Sequence, residues 1–290
     1  MDVFFALLIN GLATGGIYGS LATGMNLMLL VAGIFQYSLP HMTVICAYIL
    51  WGVEKATGSV PLAITAAVFS GVGISLATEP LFRPLAKRGA QIQSFIIAMG
   101  IMQILADIMQ RLVNKGVPIG FPKTITAEVP LFRAGIATLT QGQLAVIVGS
   151  IGAVIGLLYL LYRTKQGGAF RAIAQNPFVA RILGIPVVRS NIYTFALSGL
   201  MAGIGGVFLA MTLGSASGTL ASTLSIKVLA VAIFAGLGNL RGGLICGLLL
   251  GLVESFMQGY VSGEWANTVA FGMILVVVMF KQEGVFGTRG

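Results

Sequence analysis

Apolar runs long enough to cross a lipid bilayer recur from one end of this 290-residue chain to the other. That feature restricts the fold more than any other, because a bilayer offers the backbone no hydrogen-bonding partner and leaves helices and closed barrels as the only spanning forms. A spanning helix takes about 20 apolar residues and a barrel strand about 10, and the runs here have the helical length. Stretches at 3–31, 34–52, 60–78, 93–112, 138–162, 190–212, 222–238, 242–260 and 265–281 give nine spans, or eight if 24–52 is one interrupted element. Charged residues make up only 9% of the chain, against about 25% in soluble domains. The expectation is an all-α fold, a polytopic transmembrane helical bundle of 8–9 spans in which residues 1–290 form a single domain.

The interruption lies where Gly33 and the sequence FQYSLPH break the apolar run. A discontinuous helix is expected there, since irregular backbone at membrane depth persists only where protein or a water-filled cavity satisfies it. The first run lacks a basic leader and stays apolar beyond the length of a signal-peptide core, so it is expected to be a retained span.

Charge alternates between connectors. Those at 79–92, 163–189, around Arg241, and in the tail with Lys281 and Arg289 carry eleven of the seventeen cations. By the positive-inside rule they face the cytoplasm. The connectors at 53–59, 113–137, 213–221 and 261–264 carry fewer cations and include Glu54, Glu128 and Glu264. This asymmetry accounts for the net charge of +9 without nucleic acid as a partner.

The connector at 163–189 holds five cations and no acid. Ala169 to Gln175 reads as one short helix; Asn176 then caps a second, with Pro177 at its first position and Gly184 and Pro186 ending it. In the second helix Phe178 with Ile182, and Val179 with Leu183, fall one turn apart beside Arg181. Such a stripe must bury against something. Lipid headgroups and a groove on a cytoplasmic partner both satisfy that requirement.

Small residues recur every fourth position at Gly11, Gly15 and Gly19; Gly152 and Gly156; Ser198, Ala202, Gly206 and Ala210; and Gly243, Gly247 and Gly251. These are helix-packing ridges that let backbones approach closely. Lys227 and Glu254 lie inside adjacent spans, where an unpaired charge costs about 2.5–3.5 kcal/mol. A buried ion pair and a role in a solute or ion path both fit them. Asp107 and Arg111, one turn apart, can satisfy each other.

Other chemistries find no residues to carry them. His41 is the single histidine, and Cys46 and Cys246 lie in apolar runs, so no metal site and no catalytic dyad is expected. The run GLGNLRGG at 236–243 joins two spans and reads as a hairpin turn. No Gly-Lys pair occurs, so there is no phosphate-binding loop, and any ATP must be used by a partner.

Four blocks carry a resemblance that runs nearly the whole length: GLATGGIYGSLATG; GGAFRAIAQNPFVARILGIPVVRSNIYTFALSGLMAGIGGVFLA; LSIKVLAVAIFAGLGNLRGGLICGLLLGLVES; and MILVVVMFKQEGVFG. The chain resembles the permease subunits of branched-chain amino acid ABC importers. The resemblance implies a multi-pass inner-membrane permease beside a second related permease, two cytoplasmic ATPase subunits and a periplasmic solute-binding protein. ATP and magnesium would bind the ATPase and no cofactor this chain. It also implies that the connector is a coupling element. Arg171, Ala174, Asn176, Ala180, Leu183 and Gly184 match that block, Phe178 lies on its stripe and Arg181 beside it. Lys227 and Glu254 match family positions. Gln36-Tyr37 stands where the family has an Asn-aromatic pair, near the expected translocation pathway. The implied solute is a branched-chain or other hydrophobic amino acid, with urea, amides and aromatic acids served by relatives. An ion-coupled secondary transporter or channel is the alternative from another class.

Overall fold

The computed structural model describes residues 2–86, 91–112, 117–127, 130–134, 137–263, 265, 268, 272, 275, 279, 281 and 284–287. The chain runs α1 (Asp2–Ala32), α2 (Leu39–Thr57), α3 (Val60–Ala86), α4 (Gln91–Leu112), β1 (Ile119–Gly120), α5 (Lys123–Thr126), β2 (Pro130–Ala134), β3 (Ala137–Thr140) and α6 (Gln141–Arg163). It continues through α7 (Lys165–Gln175), α8 (Pro177–Ile182), α9 (Val187–Leu213), β4 (Ser215–Ala216), α10 (Gly218–Ala235) and α11 (Leu240–Tyr260). Seven of these helices are long and apolar enough to cross a membrane. The 19-residue α2 has the length as well, but Pro40, His41, Glu54 and Lys55 make it more polar. In the last expected span the backbone is helical at Trp265, Thr268, Gly272, Leu275 and Met279 and not helical at Lys281; its other residues, with Lys87, Arg88, Glu128, Glu264 and Arg289, lie outside the described residues.

Apolar side chains face outward along α3, α4 and α6. Phe69 is 73% exposed and Ile92 75%, an arrangement that water would penalise and lipid would not. The interior combines large apolar side chains such as Phe82, Phe195, Leu21 and Met28 with small residues and buried polar groups such as Ser20, Thr23 and Asn26.

The tightest crossing joins α1 to α11. A Cβ on Gly15 would sit 2.7 Å from Leu248 Cα and 2.8 Å from the Gly247 carbonyl, and one on Gly11 would sit 2.9 Å from Leu252 Cα. From the other helix, a Cβ on Gly251 would run into the Gly15 backbone, one on Gly247 into Gly19, and one on Gly243 would lie 2.8 Å from Thr23 Oγ1. The two helices therefore touch backbone to backbone, and dispersion between main chains replaces the hydrophobic force that lipid abolishes. A second crossing, absent from the sequence reading, joins α3 to α9 through Gly71, Gly199 and Gly203, where a Cβ on Gly203 would sit 2.7 Å from Val68 Cα. Gly206 meets α2 instead, 2.6 Å from the Thr43 carbonyl by the same measure. Gly152 and Gly156 are exposed on α6 with nothing within 4 Å of an added Cβ, so that ridge packs against none of the described residues.

The connectors sort to two ends of the bundle. At one, β1 pairs antiparallel with β4, Thr124 donates to Glu54 Oε1 at 2.9 Å, and Gln143 donates to Asn10 Oδ1 at 2.6 Å. At the other, the Val285 amide donates to the Phe234 carbonyl at 2.8 Å and the Asn239 amide to the Phe286 carbonyl at 2.7 Å. There too Phe178 and Arg181 of α8 share a cavity with Glu79 and Arg83 of α3. The cation-rich connectors thus lie together. GLGNLRGG is a turn whose Asn239 Oδ1 accepts from the Gly242 amide at 2.9 Å, capping α11.

The second expected span begins later than 34: residues 33–38 are not helical, and α2 starts at Leu39. Gly33 takes φ +64 to close α1, and Pro40 falls in the first turn of α2, where its missing N–H leaves no bond unmade.

Gly251→Val forces a branched side chain into the Gly15 backbone, costing at least about 1–3 kcal/mol. The purified variant should lose several degrees of thermal midpoint, whereas Gly156→Ala, which meets open space, should match the parent.

Candidate functional site

The connector between α6 and α9 forms two helices. The first begins at Lys165, four residues before the expected start, because Thr164 caps it by accepting from the Gly167 amide at 3.1 Å. Asn176 Oδ1 accepts from the amides of Phe178 (3.0 Å) and Val179 (3.1 Å), so α8 starts at Pro177. Gly184, at φ +80, turns the chain away after Leu183. A residue with a Cβ resists that left-handed conformation.

Burial divides the connector's side chains. Phe170, Ile173 and Ala180 are 1–3% exposed and join Leu27, Val31, Leu161, Met201 and Leu240 in one apolar cluster, which fixes α7 and α8 to α1, α6, α9 and α11. Phe178 (69%), Ile182 (69%) and Leu183 (72%) stand outward with Arg181, Asn176 and Gly184. Among the described residues the expected stripe is thus unpartnered within the chain. Arg171 and Ala174 do not share its face. Arg171 is half-buried, hydrogen-bonds the Leu161 carbonyl and lies 5.6 Å from the Tyr162 ring centroid. Behind α8, Phe178, Arg181, Val187, Asn191, Glu79 and Arg83 line a cavity of 150 Å³. Arg83 grips Glu79 through two bonds, Nε to Oε1 at 3.0 Å and Nη2 to Oε2 at 2.7 Å.

Inside the bundle, Lys227 of α10 and Glu254 of α11 form an ion pair, both 6–7% exposed. The Tyr18 hydroxyl of α1 donates to Glu254 Oε2 at 3.0 Å and accepts from Lys227 Nζ at 3.3 Å, and Gln258 donates to Glu254 Oε1 at 3.2 Å. Charge-assisted bonds from three residues thus offset the desolvation of one carboxylate. Tyr18 and Gln258 escaped the sequence reading; Gln258 stands one turn after Glu254, a spacing that signals it, whereas Tyr18 is 236 residues away. A cavity of 40 Å³ lies beside Lys227.

Gln36 and Tyr37 lie elsewhere, in the break between α1 and α2. Gln36 is fully buried and its amide faces Met42 Sδ at 3.6 Å; the Tyr37 ring packs on Phe95 with centroids 5.4 Å apart. His41 Nδ1 meets Ser225 Oγ at 3.0 Å, two residues along α10 from Lys227. Gln36 Oε1, Ser38 Oγ and His41 Nε2 are buried with no hydrogen-bond partner. Three orphaned polar atoms over six residues mark a place that a polar molecule can satisfy. Asp107 and Arg111 pair at 2.8 Å on the outside of α4. Among the described residues no group of three His, Cys, Asp or Glu side chains could hold a metal.

Spanning helices with polar groups held inside, and a braced pair of short helices presented at the cation-rich end, define a multi-pass membrane permease. The family described as the permease component of branched-chain amino acid transport systems matches residues 7–278, and the chain belongs to it. It is 26% identical to the high-affinity branched-chain amino acid transport permease protein BraD of Pseudomonas aeruginosa, over 97% of this chain and 94% of that protein. To LivH of Escherichia coli, named for the same transport system, it is 22% identical over 98% and 96%. To the probable branched-chain amino acid permease LivH of Methanocaldococcus jannaschii it is 26% identical over 89% and 83%.

Lys227→Met leaves Glu254 buried without its cation and should destabilise the protein by about 3–5 kcal/mol. Lys227→Met combined with Glu254→Gln should recover most of that loss in thermal denaturation. A double variant no better than the single would show that the pair is not the coupling between these helices.

Proposed function

We propose that this chain is the membrane permease subunit of a binding-protein-dependent, ATP-driven importer. Its proposed solutes are branched-chain or other hydrophobic amino acids, the class named for the family and for its relatives. Two cytoplasmic ATPase subunits, which bind the ATP and magnesium, a second related permease and a soluble solute-binding protein complete the assembly. The observation that carries this reading is the outward apolar face of α8, held at the cation-rich end by the burial of Phe170, Ile173 and Ala180 beneath it. An amphipathic helix with exposed i, i+4 anchors suits a groove on a folded partner.

Force applied to α8 has a short route inward. Ala180 packs in the cluster with Leu27 and Val31 of α1, and α1 ends at the break that holds Gln36 and Tyr37 and leads to His41 in the first turn of α2. Closure of the ATPases would shift this segment between arrangements open to one side and to the other. Gln36 Oε1, Ser38 Oγ and His41 Nε2 would present hydrogen-bonding groups to a passing solute or to its water. Lys227 and Glu254 flank the pathway as a fixed pair and hold α1, α10 and α11 in register. The β1–β4 end of the bundle would receive the binding protein.

Arg181→Glu or Phe178→Ser should abolish ATP-coupled uptake while leaving the thermal midpoint within about 2 °C, as exposed substitutions generally change stability little. Uptake unchanged in both variants would refute a docking role for α8. Gln36→Leu, tested in the same assay, should change the solute concentration at half-maximal uptake with ATPase association intact.

A further inference from the structure

We propose that a cavity at the cation-rich end is a binding site for a phosphate ester anion, separate from the coupling surface and from the pathway. The cavity measures 680 Å³ and lies between the last turn of α6, α7, the α10–α11 turn and residues 286–287. Its charged lining is of one sign: Arg171 and Arg241 line it, with no acidic residue among the described lining. Both guanidinium groups rest against one aromatic ring, Arg241 at 4.8 Å and Arg171 at 5.6 Å from the Tyr162 centroid. The ring orients both cations, which repel each other until an anion lies between them.

Donors remain free for such an anion. Arg171 gives one N–H to the Leu161 carbonyl, and Arg241 makes no side-chain hydrogen bond among the described residues. The first turn of α11 also lines the cavity and contributes the positive end of a 21-residue helix. Planar forks and helix-end amides recognise phosphate oxygens.

The walls are built, not incidental. Asn239 caps α11 and donates to Phe286, while the Val285 amide holds the tail turn against Phe234. A bare phosphate would occupy little of this volume, which is in the range of about 300–1,000 Å³ common for organic ligands. The ligand is therefore a phosphate carrying an organic substituent, from either an anionic lipid headgroup or a soluble ester. Bound between Arg171 and Arg241, it would brace α7, and with it α8, against the α10–α11 turn.

The test uses the full chain, delipidated in neutral detergent, titrated with dihexanoyl phosphatidylglycerol and separately with glycerol 1-phosphate, binding being read from phosphorus NMR line broadening. Saturable binding of both at similar affinity supports a soluble ester; saturable binding of the lipid alone supports a headgroup. In either case Arg241→Gln should weaken binding at least about tenfold, the scale of one lost charge-assisted bond. Arg189→Gln, which removes equal charge away from the cavity, should not. Arg241→Lys, retaining charge without the fork, should fall between and serves if Arg241→Gln fails to fold. No saturable binding, or equal losses in Arg189→Gln and Arg241→Gln, would overturn the site. Binding lost on assembly with the ATPases would also overturn it, making the cavity a socket for a partner's side chain.

Discussion

The backbone contact between α1 and α11 is the constraint on which the rest of this structure depends. Lipid tails are as apolar as leucine, so helices here gain little by hiding apolar surface from lipid and must gain by touching more closely than lipid can. Gly11, Gly15 and Gly19 give α1 one face without side chains, and Gly243, Gly247 and Gly251 give α11 the matching face. Within that seam Tyr18 can reach Glu254, and Lys227 of α10 completes the set. The ion pair needs this proximity. A buried pair is worth little when its geometry is poor and costly to break once formed.

The same helix serves the other end. α1 extends for 31 residues, about 46 Å at 1.5 Å per residue, and its last turns meet α7, with Leu27 and Val31 in the apolar cluster that also holds Ala180 of α8. Beyond Ala32 the chain breaks, buries Gln36 and Ser38, and restarts at Leu39. The connector therefore leans on a helix whose far side is clamped to α11 and whose end adjoins the one buried irregular segment between long helices among the described residues. In the proposed mechanism, a rigid rod linking a surface helix to an unsatisfied polar break would convert partner motion into rearrangement at membrane depth.

Much of this was legible in the sequence because it is local. Apolar run length marked the helices, Asn176-Pro177 marked the start of α8, and the three glycines of α1 and of α11 stand at the four-residue spacing of a packed seam. Spacing cannot say what a ridge faces. Gly152 and Gly156 share the interval and meet nothing among the described residues, while Gly199 and Gly203, one residue out of phase with the ridge read at 198–210, form the α3–α9 crossing. Long-range polar partners were likewise hidden: His41 with Ser225 is 184 residues apart and Tyr18 with Glu254 is 236. The polar break was signalled by Gly33 and Pro40, but not its orphaned atoms. Whether Arg171 faced a partner or a cavity was decided by Tyr162, which the connector's own periodicity does not include.

In the proposed mechanism this permease is driven from its cation-rich end by an ATPase seated on α8. Affinity purification of the tagged chain from its own membranes in mild detergent, with the co-purifying proteins identified and ATP hydrolysis assayed, tests it most directly. The account predicts an ATP-hydrolysing subunit and a second permease in the purified complex, both retained with the parent and the ATPase lost with Phe178→Ser. A stable preparation of this chain alone that moves solute on an ion gradient, without ATP hydrolysis, would contradict it.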